Sequence, residues 1–130
     1  MRRLGWPRKR RLLTKTHFSA CYDNGRKYFS KQFVLFVHYR TDETTGIRIG
    51  LTVGRKVGNA VARNRVKRVL REFFRLHQHQ FDCPVDVVVV PKRTLDPKQF
   101  DLAQATGELI PAMQRVLCDT PQPSLPVERL

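Results

Sequence analysis

The run Val85-Asp86-Val87-Val88-Val89-Val90 is apolar at every position but one. A strand with one wet face would alternate, so this pattern marks a central strand buried on both faces. Its candidate neighbours lie earlier in the chain. Residues 33–39 (FVLFVHY) are aromatic and β-branched, as strands are. Ile47, Ile49, Leu51 and Val53 alternate with Arg48, Gly50 and Thr52, which predicts a second, half-buried strand. Only a turn at 42–46 separates the two, and the short link suggests an antiparallel hairpin. A brief strand at Tyr28-Phe29-Ser30, or an extension of the 33–39 strand, is a weaker signal.

Three helices are expected around these strands. The first follows Thr14 as N-cap, with Leu13 and Phe18 at staple positions and Asn24-Gly25 as a stop. It sets Phe18 and Tyr22 on one face, four residues apart. The second starts after the N-cap Asn59 and runs to about Leu76. Ala62, Val66, Val69, Leu70, Phe73 and Leu76 share its apolar face. Arg63, Asn64, Lys67, Arg68, Arg71 and Arg75 gather opposite, with Arg65 on the flank. The third starts at Asp96-Pro97, with Asp as cap and Pro in the first turn. Gly107 and Pro111 predict a kink or a break there, since an interior Pro costs about 3 kcal/mol.

At 130 residues the chain is sized for one domain. We expect a basic arm at 1–10, one domain at 11–118 and a Pro-rich disordered tail at 119–130. The element order is α-β-β-β-α-β-α, an α/β (α+β) two-layer sandwich with helices covering one side of a small sheet.

Charge narrows the function. Twenty-five Lys and Arg against eleven Asp and Glu give a formal charge of +14. Such a charge repels itself unless a polyanion neutralises it. No stretch approaches the roughly 20 apolar residues that span a bilayer. The basic N-terminus has no apolar run after it, so it does not read as a secretory signal. Cys21, Cys83 and Cys118 form no CxxC and suggest no zinc site, and they read as reduced thiols in a cytoplasmic protein.

Between Arg55 and Arg75 stand eight basic residues and one acid, Glu72. Like charges three and four apart repel on a helix, and a row of phosphates relieves that. The planar guanidinium fork matches phosphates and base edges better than an ammonium does. Solvated helix faces mix Glu with Lys, and this one barely does. A duplex-DNA recognition helix is the alternative, but helix-turn-helix spacing, heptads and zinc ligands are missing. Phe18, Tyr22 and Phe36 could stack on unpaired bases, or could be ordinary core. His17, His38, His77 and His79 are scattered, and no nucleophile, base or metal set assembles a hydrolytic site.

The stretch 49–68 (IGLTVGRKVGNAVARNRVKR) resembles the signature of the bacterial ribonuclease P protein subunit. Arg11, Leu12, Phe18, Tyr22, Gly25 and 33–36 (FVLF) extend the likeness, which covers about 11–117. The resemblance implies an accessory subunit of a ribonucleoprotein endonuclease that removes the 5′ leader of precursor tRNA. The RNA subunit would be the catalyst, with bound Mg²⁺ and no organic cofactor. Arg55, Lys56, Arg63, Asn64, Arg65, Lys67, Arg68 and Arg71 would face that RNA. Phe18, Tyr22 and Phe36 would hold the single-stranded leader. The implied fold is like domain 2 of ribosomal protein S5, with a left-handed β-α-β crossover where the usual hand is right. The implied partners are the catalytic RNA and precursor tRNA, with no DNA and no membrane, and a protein monomeric outside the particle. Three positions depart from the family's habit. Gly54-Arg55-Lys56 stands where Ser-Lys-Lys is common, Tyr22 where Phe is, and His17 where an acid often is.

Overall fold

The computed structural model describes residues 15–40, 46–78, 80–81 and 83–119. The expected N-terminal arm, the Thr14 cap and its staple residue Leu13, most of the 42–46 turn, and the tail beyond Asp119 lie outside them. The elements are α1 (Lys15–Asn24), β1 (Arg26–Phe29), β2 (Phe33–Tyr39), β3 (Arg48–Leu51), α2 (Ala60–Leu76), β4 (Val85–Pro91) and α3 (Leu102–Asp119). A 3-10 turn, Arg55–Val57, precedes α2. The order is the α-β-β-β-α-β-α expected.

The sheet runs β1-β2-β4-β3, so the valine-rich strand β4 is internal. β4 pairs antiparallel with β2 along seven residues, from Phe33 opposite Pro91 to Tyr39 opposite Val85. On its other edge it pairs parallel with β3, from Arg48 opposite Asp86 to Leu51 opposite Val89. The expected β2–β3 hairpin therefore does not form. The two strands are antiparallel in direction, but β4 lies between them. The reason is visible at Asp86. Its carboxylate accepts from Arg40 Nη1 at 2.7 Å, and from Arg48 Nε and Nη2 at 2.7 Å each. Arg40 also donates to the Val85 and Gly46 carbonyls. A direct hairpin would set Arg40 and Arg48 near each other without this buried carboxylate. The inserted strand supplies it from between them.

The pleat assigns the faces. Leu35, Val37, Ile49, Val85, Val87 and Val89 form one core with Val66, Leu70, Phe73 and Phe74 of α2 and Ala105, Leu109, Met113 and Val116 of α3. On α2 the apolar face turns slightly from the expected one: Phe74 is buried, whereas Leu76, at the frayed last turn, is about half exposed. Helices cover both faces and not one side alone as expected: on the other face α1 crosses β2 and β4, and Cys21 and Val88 are buried there with Phe18, Phe36 and Val90 packed around them. α1 ends where expected. The Gly25 amide donates to the Cys21 carbonyl at 3.1 Å. A Cβ at Gly25 would lie 2.3 Å from that oxygen and 2.6 Å from the Val37 carbonyl, so only glycine lets helix and strand meet so closely.

α3 differs from expectation at both features. Asp96-Pro97 makes a turn instead of the helix start: Asp96 Oδ1 accepts from the Lys98 amide, and its carbonyl accepts from Gln99 and Phe100. Phe100 is fully buried, which holds this turn against the core. The helix begins one turn later, where Asp101 Oδ1 caps the Gln104 amide at 2.9 Å. It then continues through Gly107 and Pro111 without a break. Pro111 is exposed, and the only intrahelical bond it forfeits is to the carbonyl of Gly107. Buried Leu109, Ala112, Met113 and Val116 anchor the helix on both sides of it. Its end is tied down by polar contacts. Tyr28 Oη donates to Asp119 Oδ2 at 2.7 Å and meets Tyr39 Oη at 2.6 Å. Burial pushes both phenols above their ordinary pKa.

Two outcomes follow from this packing. Asp86→Asn leaves the buried Arg40 charge without the carboxylate that faces it, and should cost about 3–5 kcal/mol in denaturant unfolding. An unchanged unfolding midpoint would show that the ion set does not secure β4. Burial also raises the Cys21 thiol to about 12. Because the folded-state pKa exceeds the unfolded one, its contribution is complete below about pH 8.5 and is lost as pH rises toward 12. Iodoacetamide at pH 8 should therefore modify exposed Cys118 in the native protein and reach Cys21 only after unfolding.

Candidate nucleic-acid interface

Asn59 caps α2 as the sequence predicts: its side-chain oxygen accepts from the Ala62 amide at 2.9 Å. The preceding Gly58 has φ +150°, a conformation that disfavours a side chain, and a Cβ there would lie 3.0 Å from Ala62 Cβ. This turn presents Arg55 and Lys56 to solvent immediately before the basic helix.

The positions of the cationic face do not form one uniform surface. Asn64, Arg68, Arg71 and Arg75 line a shallow groove of about 380 Å³ with Glu72. Arg75 is ion-paired within it: its Nε and Nη2 donate to the two Glu72 oxygens at 3.0 and 2.5 Å. That carboxylate holds the Arg75 guanidinium above its ordinary pKa. Arg68 and Arg71 are exposed, whereas Arg63 and Lys67 are half-buried. The Nε of Arg63 is buried without a hydrogen-bond partner. Arg65 is different again. Its Nε donates to the Pro97 carbonyl at 3.0 Å and its Nη2 to the Phe100 carbonyl at 3.2 Å. This arginine fixes the turn before α3, and part of its donor fork is already used.

The three aromatic positions do come together. The Tyr22 and Phe36 rings meet edge-to-face, with centroids 4.8 Å apart. Phe18 packs beside Phe36 over Cys21 and Val88. Tyr22 Oη is hydrogen-bonded to Thr52 Oγ1 at 3.0 Å, which ties α1 to the chain just past β3. Phe18 is half-buried and Tyr22 is 39% exposed, so one ring serves the core while the other faces solvent.

Register shows what the sequence reading missed. Lys27 and Phe29 of β1 fall opposite Phe36 and Val34, on the sheet face that carries α1. Phe29 is 56% exposed. The Lys27 ammonium lies 5.7 Å from the Phe36 ring centre, and Lys92 lies 5.4 Å from that of Phe29. Beside α1 there is thus a shelf of aromatic faces edged by ammonium groups, a combination that suits unpaired bases and their phosphates. Period-2 alternation in 26–29 would have put Lys27 and Phe29 on one face, but only the β1–β2 register sets them beside Phe36.

The shelf and α2 occupy opposite faces of the sheet, since α2 packs on the face of Leu35, Val37, Val87 and Val89. Among the described residues no group of three or more His, Cys, Asp or Glu could hold a metal ion. No described helix is long and apolar enough to cross a membrane.

The chain matches the family model described as Ribonuclease P over residues 6–116. It is 47% identical over 116 residues to the ribonuclease P protein component of Maridesulfovibrio salexigens, covering 89% of this chain and 94% of that one. The protein component from Oleidesulfovibrio alaskensis is 50% identical over 109 residues, covering 84% and 87%. The structure of the Staphylococcus aureus RNase P protein superposes with TM-score 0.71 at 27% identity, covering 82% of this chain and 94% of that one. The Thermotoga maritima RNase P protein superposes with TM-score 0.72 at 28% identity, covering 81% and 96%. On these matches, together with the fold they share, the chain belongs to the ribonuclease P protein component family.

Proposed function

We propose that this protein binds the ribonuclease P RNA through α2 and the turn before it, and holds the 5′ leader of precursor tRNA on the shelf beside α1. The observation that carries this reading is the placement of two unlike surfaces on opposite faces of one sheet. One is cationic with little aromatic character and suits the phosphates of folded RNA. The other pairs aromatic rings with ammonium groups and suits a single strand. A protein with both can touch the catalytic RNA and the leader at once.

Leader contacts exist only in the precursor, so they raise its affinity over that of mature tRNA. The cations of α2 offset repulsion between RNA strands and lower the Mg²⁺ needed for assembly. Hydrolysis is assigned to the RNA subunit and its bound Mg²⁺, and the protein's side chains bind and position. In this reading the protein is a monomer outside the particle and acts in the cytoplasm.

Added to ribonuclease P RNA at low Mg²⁺, the protein should restore cleavage of the leader. Tyr22→Ala should weaken binding of precursor tRNA to the holoenzyme by about 5- to 20-fold, as loss of one stacked base would. Mature tRNA should bind unchanged. Equal losses for both would remove the leader from this shelf. Affinity for the RNA subunit should also fall with salt. About six phosphate contacts give a slope of log K on log[salt] of roughly −4 to −5. A flat response would remove the electrostatic basis of the α2 surface.

A further inference from the structure

Val61 is 78% exposed at the start of α2, far more than any other described large apolar residue. It stands on the wall of a groove of about 410 Å³, together with Val57, Ala62 and Pro97, and with Arg65 and Lys98 at its edge. The size is within the range that accepts a small flat ligand. Exposed apolar surface rimmed by polar groups marks an interaction site.

The surroundings say what kind of partner fits. Arg55 and Lys56 directly precede Val57 and are exposed. Together with Arg65 and Lys98 they make four cations, and the carboxylate of Asp96, beside Pro97, is bound to the Lys98 amide. The Arg65 guanidinium is held by the Pro97 and Phe100 carbonyls, so its plane is fixed before any ligand arrives. A fixed guanidinium plane is a surface on which an unpaired base can stack. A flat apolar heterocycle carrying a phosphate therefore matches both parts of the groove.

We propose that this groove is a nucleobase pocket, which receives one unpaired base of the bound RNA while the surrounding cations hold its backbone. The inference rests on the reading that α2 faces the ribonuclease P RNA, and it adds a base contact to a surface otherwise fitted for phosphates. It also gives Arg65 a second duty: the same bonds that fix the turn before α3 build the wall of the pocket.

The test uses the full-length protein and ribonuclease P RNA, with dimethyl sulfate reactivity read at every unpaired adenine and cytosine. Val61→Ala removes apolar wall from an exposed position and should leave thermal unfolding unchanged. The wild-type complex should protect at least one unpaired base. Val61→Ala should restore that base's reactivity and weaken binding by about 3- to 10-fold with the same salt slope, because no phosphate contact is lost. Arg71→Ala should do the reverse, lowering the slope and leaving the base protected. A Val61→Ala protein with wild-type affinity and protections would overturn the pocket while leaving RNA binding by α2 intact. A wild-type protein that fails to bind the RNA would overturn both. If Val61→Ala changes only self-association in sedimentation, the groove is a contact between two copies and the assignment is wrong.

Discussion

Asp86 interrupts the valine run of β4, and the topology depends on it. Its carboxylate is 2% exposed and meets Arg40, at the end of β2, and Arg48, at the start of β3. A buried ion set contributes little net stability, because desolvation offsets most of the attraction. Its consequence here is specificity. Arg40 and Arg48 flank the slot that β4 fills, and only a strand with a carboxylate at that depth neutralises both. A one-residue slip of β4 would put a valine between two arginines and Asp86 in the face packed by α2 and α3. Charge and apolar alternation thus select one register.

That register creates the two surfaces. With β4 internal, β1 and β2 lie to one side and β3 to the other. α1 covers part of the face bearing Phe36 and Val88 and leaves Phe29 open. α2 is the crossover between β3 and β4 and packs on the opposite face. Its basic side is therefore directed away from the sheet because Val66, Leu70, Phe73 and Phe74 are directed toward it. The sheet carries no functional side chain into α2's surface and α2 none into the shelf. A substitution on one surface need not repack the other.

Much of this was legible in the sequence where a single physical rule decides. The ends of α2 follow from a cap and a period of 3.6, and the internal position of β4 from a run apolar on both faces. The cationic face follows from counting Arg and Lys against one Glu. What was not legible depends on pairs distant in sequence. The hairpin expectation at β2–β3 failed because a short loop is evidence of proximity, not of pairing, and the strand that intervenes comes 34 residues after β3. The α3 start was misplaced because Asp96-Pro97 and Asp101 are both good caps, and buried Phe100 between them decided which one the helix used. Lys27 and Phe29 were invisible as site residues because only β1–β2 register puts them beside Phe36.

The arginines show the same limit at the level of one side chain. By composition, Arg63, Arg65, Arg68 and Arg71 are equivalent cations of one helix. By contacts they are not. Among the described residues no hydrogen bond ties Arg68 or Arg71 to another element, and both are exposed, open to a phosphate. Arg65 spends two donors on the 97–100 turn, 32 and 35 residues away. Removing its side chain would loosen that turn as well as delete a cation, so loss of RNA affinity at Arg65 alone cannot be read as a lost phosphate contact. Lysine is the sharper probe there. It keeps the charge but lacks the fork that bonds both carbonyls. Charge alone being required would leave Arg65→Lys neutral, whereas a fixed guanidinium plane being required would make it nearly as damaging as alanine.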